Sequence, residues 1–307
     1  PITAVVAHMG VPVSGSDQRS SDTTRALATL GVAVTEGADY DRIPAAAAIV
    51  RSTAIPDDHP EIAGALAAGR IVYRRADLLA AITRRYRTVS IAGTHGKTTT
   101  SAMTTAALLG CGVKATSIVG GKLLGIDQAV PGAVLGEVGG ILVVEADESD
   151  ATFVELDTDI AVVTNIEPDH LEYYGGEAGL YDAFDGFITA PGLSNAILCG
   201  DDAGVRASAE RCNGRSASLG WYGEHPDADI SLHFSPGELA ITVASRRVSV
   251  TPKLPGRHNA LNLTAALGVA DALGLRLRHS DRALHLQLSP VRPIDRIVFD
   301  ICEQFRC

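Results

Sequence analysis

The chain has 307 residues, of which 46% are hydrophobic, and a formal net charge of −10. That length allows two domains, and that composition can bury sizeable cores, which excludes a disordered chain. The acidic balance argues against broad binding to nucleic acid or a membrane surface, which needs a basic face, but it allows local basic pockets for phosphates.

The chain opens on Pro1, neither a signal peptide nor a methionine start, which suggests that a preceding piece is absent, and a helix reads at 2–9. From 10 to 86, short apolar segments alternate with helical ones. "GVPVSG" reads as a strand, Ser20–Leu30 as a helix, "AAAAIV" (45–50) as a strand and Glu61–Ala68 as a helix. "RIVYR" (70–74) and Ala76–Tyr86 repeat the pair. Such alternation predicts a parallel sheet covered on both faces, whose first strand and glycine loop would lie upstream of Pro1, with helix 2–9 as the remnant of its first crossover.

A second α/β run begins at Arg87. Strand 89–92 enters "GTHGKTTT" and a helix to Leu109. "GGILVVEADESD" (139–150), "DIAVVTNIEPDH" (159–170) and "SNAILCGDD" (194–202) are apolar runs with polar ends. Runs without alternation suit strands buried on both faces, and ligands of open α/β sheets sit at the carboxyl ends of strands. Between 216 and 252, "ISLHF", "ELAITVA" and "RRVSVTP" read as short antiparallel strands, with 235–238 as a turn. "PGRHNALNLTAALGVADALGL" is a helix, and no clear period follows Leu273. Five cysteines without a C-x-x-C pair fit a reduced, cytoplasmic compartment, and no apolar run approaches the roughly 20 residues of a membrane span.

The loop carries the sharpest signal. A phosphate loop of the form G-x-x-x-x-G-K-[ST] would need glycine at 91, where this chain has Ile91. Even so, Gly93 and Gly96 let backbone N–H groups converge on an anion, and the following helix adds its positive end. Lys97 supplies a charge for terminal phosphates, and Thr98 a hydroxyl for a bridging magnesium ion. A hard cation also needs a carboxylate, which Glu145, Asp147, Glu148 or Asp150 of "EADESD" can provide. Asp169 and His170 end the next strand, where Asn165 and Glu167 either meet substrate or shape the turn. Arg257, His258, Asn259 and Asn262 open the last helix, either as purine-reading amides or as a cap.

In this order, "GTHGKTTT", "EADESD", "TNIEPDH" and "GRHNALN" closely resemble the Mur ligase family of peptidoglycan synthesis, over about residues 1–280. The shorter loop fits, because that family uses G-T-x-G-K-T. "VSGSD" (13–17) and "STAI" (52–55) look like parts of its UDP-binding domain. The resemblance implies a UDP-binding domain over 1–86, Rossmann-like but truncated, and a P-loop-type ATPase domain over 87–280 with a mostly parallel sheet and a small antiparallel one. A divergent tail over 281–307 would stand in place of the C-terminal ligase domain.

The resemblance further implies ATP and Mg2+ as cofactors, and UDP-N-acetylmuramate and L-alanine as substrates joined through an acyl phosphate. By the same resemblance, Gly93, Thr94, His95, Gly96, Lys97, Thr98, Thr99, His258, Asn259 and Asn262 bind ATP. Thr98, Glu145 and His170 hold metal, and Lys97, Glu145 and His170 are catalytic. Ser16, Asp17, Ser52, Thr53, His95, Glu148 and Ser149 meet the sugar nucleotide.

Two departures stand out. The segment written N-G-G in the family reads 119-VGG-121, and "LQLSPVRPIDRIVFDICEQFRC" does not match the family's last domain. The expectation that follows is a chain that ligates poorly or not at all. A ligase that adds a preformed peptide to the same sugar nucleotide, and a nucleotide-binding remnant without turnover, are the alternatives.

Overall fold

The computed structural model describes residues 1–275, except 46, 53, 150, 213–217, 236–237, 244–245 and 251–255. In chain order the first part runs α1 (Ile2–His8), β1 (Ser14–Asp17), α2 (Asp22–Thr29), β2 (Ala33–Glu36), β3 (Ile49–Arg51), α3 (Pro60–Ala67), β4 (Val72–Arg74) and α4 (Arg75–Thr83). Capping explains where α2 starts: the Ser21 hydroxyl accepts from the Thr24 N–H, and the Thr24 side chain answers to the Ser21 N–H.

The alternation predicted from sequence is present, but its strands do not form one sheet. β1 pairs in parallel with β2, and β3 with β4, as two separate sheets. All of β1, the polar run Ser-Gly-Ser-Asp, is exposed, so it offers no apolar face for a wider sheet. Each pair instead packs through its helix. Leu27 and Val32 form one small core, and Ile49, Ile62 and Ala65 another. α1 also departs from the expectation of a first-domain helix. Ile2 and Val5 are buried in the large core that follows, while Ala4 joins Leu27 and Val32.

The second part continues with β5 (Arg87–Ala92), α5 (Lys97–Gly110), β6 (Thr116–Ile118), β7 (Ala133–Val134), β8 (Ile141–Glu145), β9 (Ile160–Val163), α6 (Leu171–Tyr174) and α7 (Glu177–Ile188). It closes with β10 (Asn195–Cys199), α8 (Ala203–Arg211), β11 (Ser218–Gly223), β12 (Ile230–Ser235), β13 (Glu238–Val243), β14 (Arg246–Val250) and α9 (Arg257–Ala272). One ten-stranded sheet has the order β14-β13-β12-β11-β10-β9-β5-β8-β6-β7. It is parallel from β12 to β6 and antiparallel at both ends, so the predicted antiparallel strands extend the main sheet. Residues 236–237 of the predicted turn lie outside the described residues, as do 276–307.

Both faces of this sheet are covered, which is why its inner strands are apolar throughout. Val89 and Ile91 pack towards α5 and α9 on one side; Leu142, Val144, Ala161 and Val163 pack on the other with α7. On that second face Phe153 is 1% exposed, with its ring centroid 5.0 Å from Phe184 and 5.2 Å from Phe187. No helix among the described residues is long and apolar enough to cross a membrane. Truncating Phe153 to alanine removes the centre of this aromatic cluster. It should destabilise the second part by about 3–5 kcal/mol, read as a lower melting temperature and an earlier denaturant midpoint.

Candidate active site

The site follows from sheet order. β5 lies between β8 and β9, so the loop after β5 emerges between their carboxyl ends. Register sets the details: Ile91 faces Glu145 on β8, and Ala92 faces Val163 on β9. The polar residues that follow each strand therefore meet.

Both loop glycines are sterically required. Gly93 has φ 131°, and a β carbon there would lie 2.1 Å from the Thr164 hydroxyl oxygen. Gly96 has φ 87°, and its β carbon would lie 2.8 Å from Asn262 Oδ1. Asn262, 8% exposed on α9, accepts a hydrogen bond from the Thr100 hydroxyl at 3.1 Å. Asn262 thus packs under the loop and fastens α5 to α9. His258 and Asn259 sit on the first turn of α9, His258 exposed.

Lys97 bends back over its own loop. Its ammonium donates to the carbonyls of Gly93 (2.8 Å) and Thr94 (3.3 Å) and to Glu148 Oε1 (2.9 Å). Glu148 Oε2 lies 2.7 Å from the ammonium as an ion-pair contact without hydrogen-bond alignment. Glu148 is 3% exposed, and the Tyr174 hydroxyl donates to its backbone carbonyl. Burial pushes the Glu148 carboxyl above its ordinary range, and Lys97 only partly offsets this. The residue that resemblance gave to the sugar nucleotide is here the lysine's counter-charge. Ser149 follows it in a turn closed by its N–H on Asp147 Oδ1 at 3.1 Å.

Beside the lysine, the Thr98 hydroxyl donates to Glu145 Oε1 at 2.7 Å, and the Gly120 N–H donates to Glu145 Oε2 at 2.7 Å. Val119, where the family has asparagine, is 2% exposed in an apolar cluster with Ala102, Leu123 and Val134. Thr98 at the start of α5 and Glu145 at the end of β8 are hard oxygen donors that would suit a magnesium ion. Among the described residues, no three His, Cys, Asp or Glu side chains are grouped to hold a metal by themselves. His170 stands apart from this pair: no hydrogen bond or ion pair among the described residues joins it to Thr98 or Glu145. Its backbone is left-handed, φ 49°, and its ring nitrogens lie 3.8 Å from Asp169 and 3.9 Å from Glu172. A non-glycine residue holds that conformation at a cost, and such residues cluster at functional sites.

α5 begins without a side-chain cap. Helix geometry leaves the N–H groups of Lys97, Thr98 and Thr99 without intrahelical acceptors, an arrangement that suits an anion. His95 is exposed, with Nε2 3.8 Å from Glu167 Oε2.

In the first part, Ser16 and Asp17 end β1, and Ser52 follows β3. The Ser16 hydroxyl donates to Glu61 Oε2 at 2.5 Å, and Glu61 Oε1 accepts from the Asp39 N–H at 3.3 Å. Asp17 accepts from the Arg19 N–H, and the Ser52 hydroxyl from the Ala54 N–H. Thr53 lies outside the described residues. Glu61 was not singled out from sequence, because a helix-start glutamate has no motif around it.

Comparisons agree with this architecture. Residues 91–270 match the model of the Mur ligase middle domain, and residues 1–87 that of the Mur ligase family, catalytic domain. The chain belongs to the Mur ligase family. It is 39% identical over 279 residues to UDP-N-acetylmuramate–L-alanine ligase of an Arthrobacter species, covering 89% of this chain and 58% of that protein. It is 38% identical to the enzyme of the same name from Bordetella pertussis, covering 96% of this chain and 63% of that one. The chain thus spans about three fifths of the length of the curated relatives it matches.

Solved structures share the fold. A UDP-N-acetylmuramate–alanine ligase from Thermotoga maritima superposes with a TM-score of 0.73 at 22% identity, covering 98% of this chain and 66% of that one. The Neisseria UDP-N-acetylmuramate:L-alanyl-γ-D-glutamyl-meso-diaminopimelate ligase gives 0.76 at 20% identity, covering 99% and 92%.

The raised carboxyl of Glu148 has a signed consequence. A carboxyl whose folded pKa exceeds its unfolded value favours folding in acid, and this contribution fades as pH climbs through the folded pKa. Glu148→Gln lacks it. The melting temperature of the wild type minus that of the variant should therefore fall as pH rises from 4.5 towards neutrality.

Proposed function

We propose that the chain binds ATP at 93–99 and serves the ATP-dependent joining of L-alanine to UDP-N-acetylmuramate. The observation that carries this reading is the loop itself: Lys97, three open N–H groups at the start of α5 and the Thr98–Glu145 pair all meet at the ends of β5 and β8. The relatives between 37% and 41% identical carry the L-alanine ligase name, which favours L-alanine over a preformed peptide as acceptor. The two parts of the fold divide the work: residues 1–86 hold the sugar nucleotide, with Ser16, Asp17 and Ser52 at their strand ends, and residues 87–280 hold ATP.

In this mechanism a carboxylate oxygen of the sugar nucleotide attacks the γ-phosphorus, the bond to the β-phosphate oxygen breaks, and ADP leaves. The amine of alanine then attacks the acyl carbon, an amide forms, a proton is lost and phosphate departs. The transferring group is rich in negative charge, so catalysis consists mostly of positioning and charge stabilisation. Lys97 leaves one of its three acceptors to meet the phosphates. The N–H groups of Lys97, Thr98 and Thr99 orient them. Thr98 and Glu145 would hold a magnesium ion, which neutralises phosphate charge when bound, and His170 would hold a second near the acyl phosphate. Asn259 and His258 flank the purine end at the start of α9.

Two measurements test the proposal. Equilibrium titration with ATP and magnesium should show binding that weakens about ten- to a hundred-fold in Lys97→Ala, the range expected for loss of a hydrogen bond to a charged group. Any ADP release, expected to be slow, should require both UDP-N-acetylmuramate and L-alanine, and L-Ala–D-Glu–diaminopimelate should not replace alanine. Absence of ATP binding to the wild-type chain would end this reading, whereas binding without ADP release would leave a nucleotide-binding chain.

A further inference from the structure

The amino-terminal half of the phosphate loop is fastened to the loop that follows β9. The Asn165 side chain makes the central contact. Its Oδ1 accepts from the His95 N–H at 2.8 Å, and its Nδ2 donates to the His95 carbonyl at 2.9 Å. One side-chain amide thereby exchanges two hydrogen bonds with one residue's backbone, as a neighbouring residue does in an antiparallel sheet. Among uncharged side chains of this length, only asparagine offers a donor and an acceptor on one carbon. The donor and acceptor assignment is fixed by the partners, since an N–H can only donate and a carbonyl can only accept.

Three further contacts run alongside. The Thr164 hydroxyl donates to the His95 carbonyl at 2.6 Å. The Thr94 N–H donates to the Asn165 carbonyl at 3.1 Å. The Glu167 N–H donates to the Thr94 hydroxyl at 2.9 Å. The N–H groups of Thr94 and His95 are thus engaged before any phosphate arrives, and anion binding falls to the later half of the loop.

We propose that Asn165 is a positioning residue for nucleotide binding: by holding both polar groups of the His95 backbone, its amide fixes the loop shape from which Lys97 and the α5 N–H groups reach phosphate. This rests on the nucleotide reading given above. Asn165 need not touch the nucleotide, and its effect passes through the loop backbone.

The test joins two readouts on the full chain. Binding of ATP with magnesium is titrated for wild type, Asn165→Ala and Asn165→Asp, and amide hydrogen exchange is followed across residues 93–99 without nucleotide. The aspartate variant keeps an acceptor for the His95 N–H and presents an oxygen to the His95 carbonyl. Melting curves check folding, and if Asn165→Ala is unfolded, Asn165→Asp carries the test.

The expected result is faster exchange at 93–96 together with ATP affinity about ten-fold weaker or more. Unchanged exchange with weaker binding would overturn the proposal, because Asn165 would then act on the nucleotide directly. Faster exchange with unchanged affinity would also overturn it, since loop shape would not govern binding. If the wild type itself binds no ATP, the nucleotide reading fails, and the exchange data alone still decide whether Asn165 holds the loop.

Discussion

The site depends on the pairing of β5 with β8 on one side and β9 on the other. A parallel sheet delivers the carboxyl ends of all three strands to one edge, and register then decides which residues meet. Shifting β8 by one residue would turn Glu145 to the other face of the sheet and remove it from Thr98. Shifting β9 would move Thr164 and Asn165 away from His95. The buried, apolar strand interiors are thus what places the polar residues, since they fix a register that the polar residues could not hold alone.

The loop is also internally satisfied. Lys97 has three acceptors, Glu145 has two donors, and the backbone of Thr94 and His95 is engaged by the loop after β9. A half-buried lysine and a buried glutamate each lose hydration, and their attraction offsets that loss only when the remaining hydrogen-bonding capacity is filled, as it is for Lys97. Any anion that reached this ammonium group would compete with Glu148 and two carbonyls for it. The same network leaves the start of α5 without a side-chain cap, so its first N–H groups stay open.

Much of the second part was legible because its signals are local. Apolar runs without alternation marked β5, β8, β9 and β10, and the glycine–lysine–threonine turn marked the start of α5. The first part was legible as an alternation but misleading as a sheet. Its strands are short and β1 is wholly polar, so pairing there is set by helices packed behind each pair, which no window of sequence reveals. α1 was placed with the first part alone for a related reason. Its apolar residues fit either part, and only the burial of Ile2 and Val5 in the larger core decided the matter.

By itself the sequence determined the family, the α/β plan and the glycine–lysine–threonine turn between β5 and α5, since these rest on residue types at fixed spacing within single segments. The tertiary structure decided the partnerships. Glu148 became the lysine's counter-ion, Asn262 the support beneath Gly96, Glu61 the partner of Ser16, and Asn165 the clamp on His95. The physical reason is the same in each case. These contacts join residues dozens to more than a hundred positions apart, and their geometry exists only once strand order and helix packing have brought the segments together.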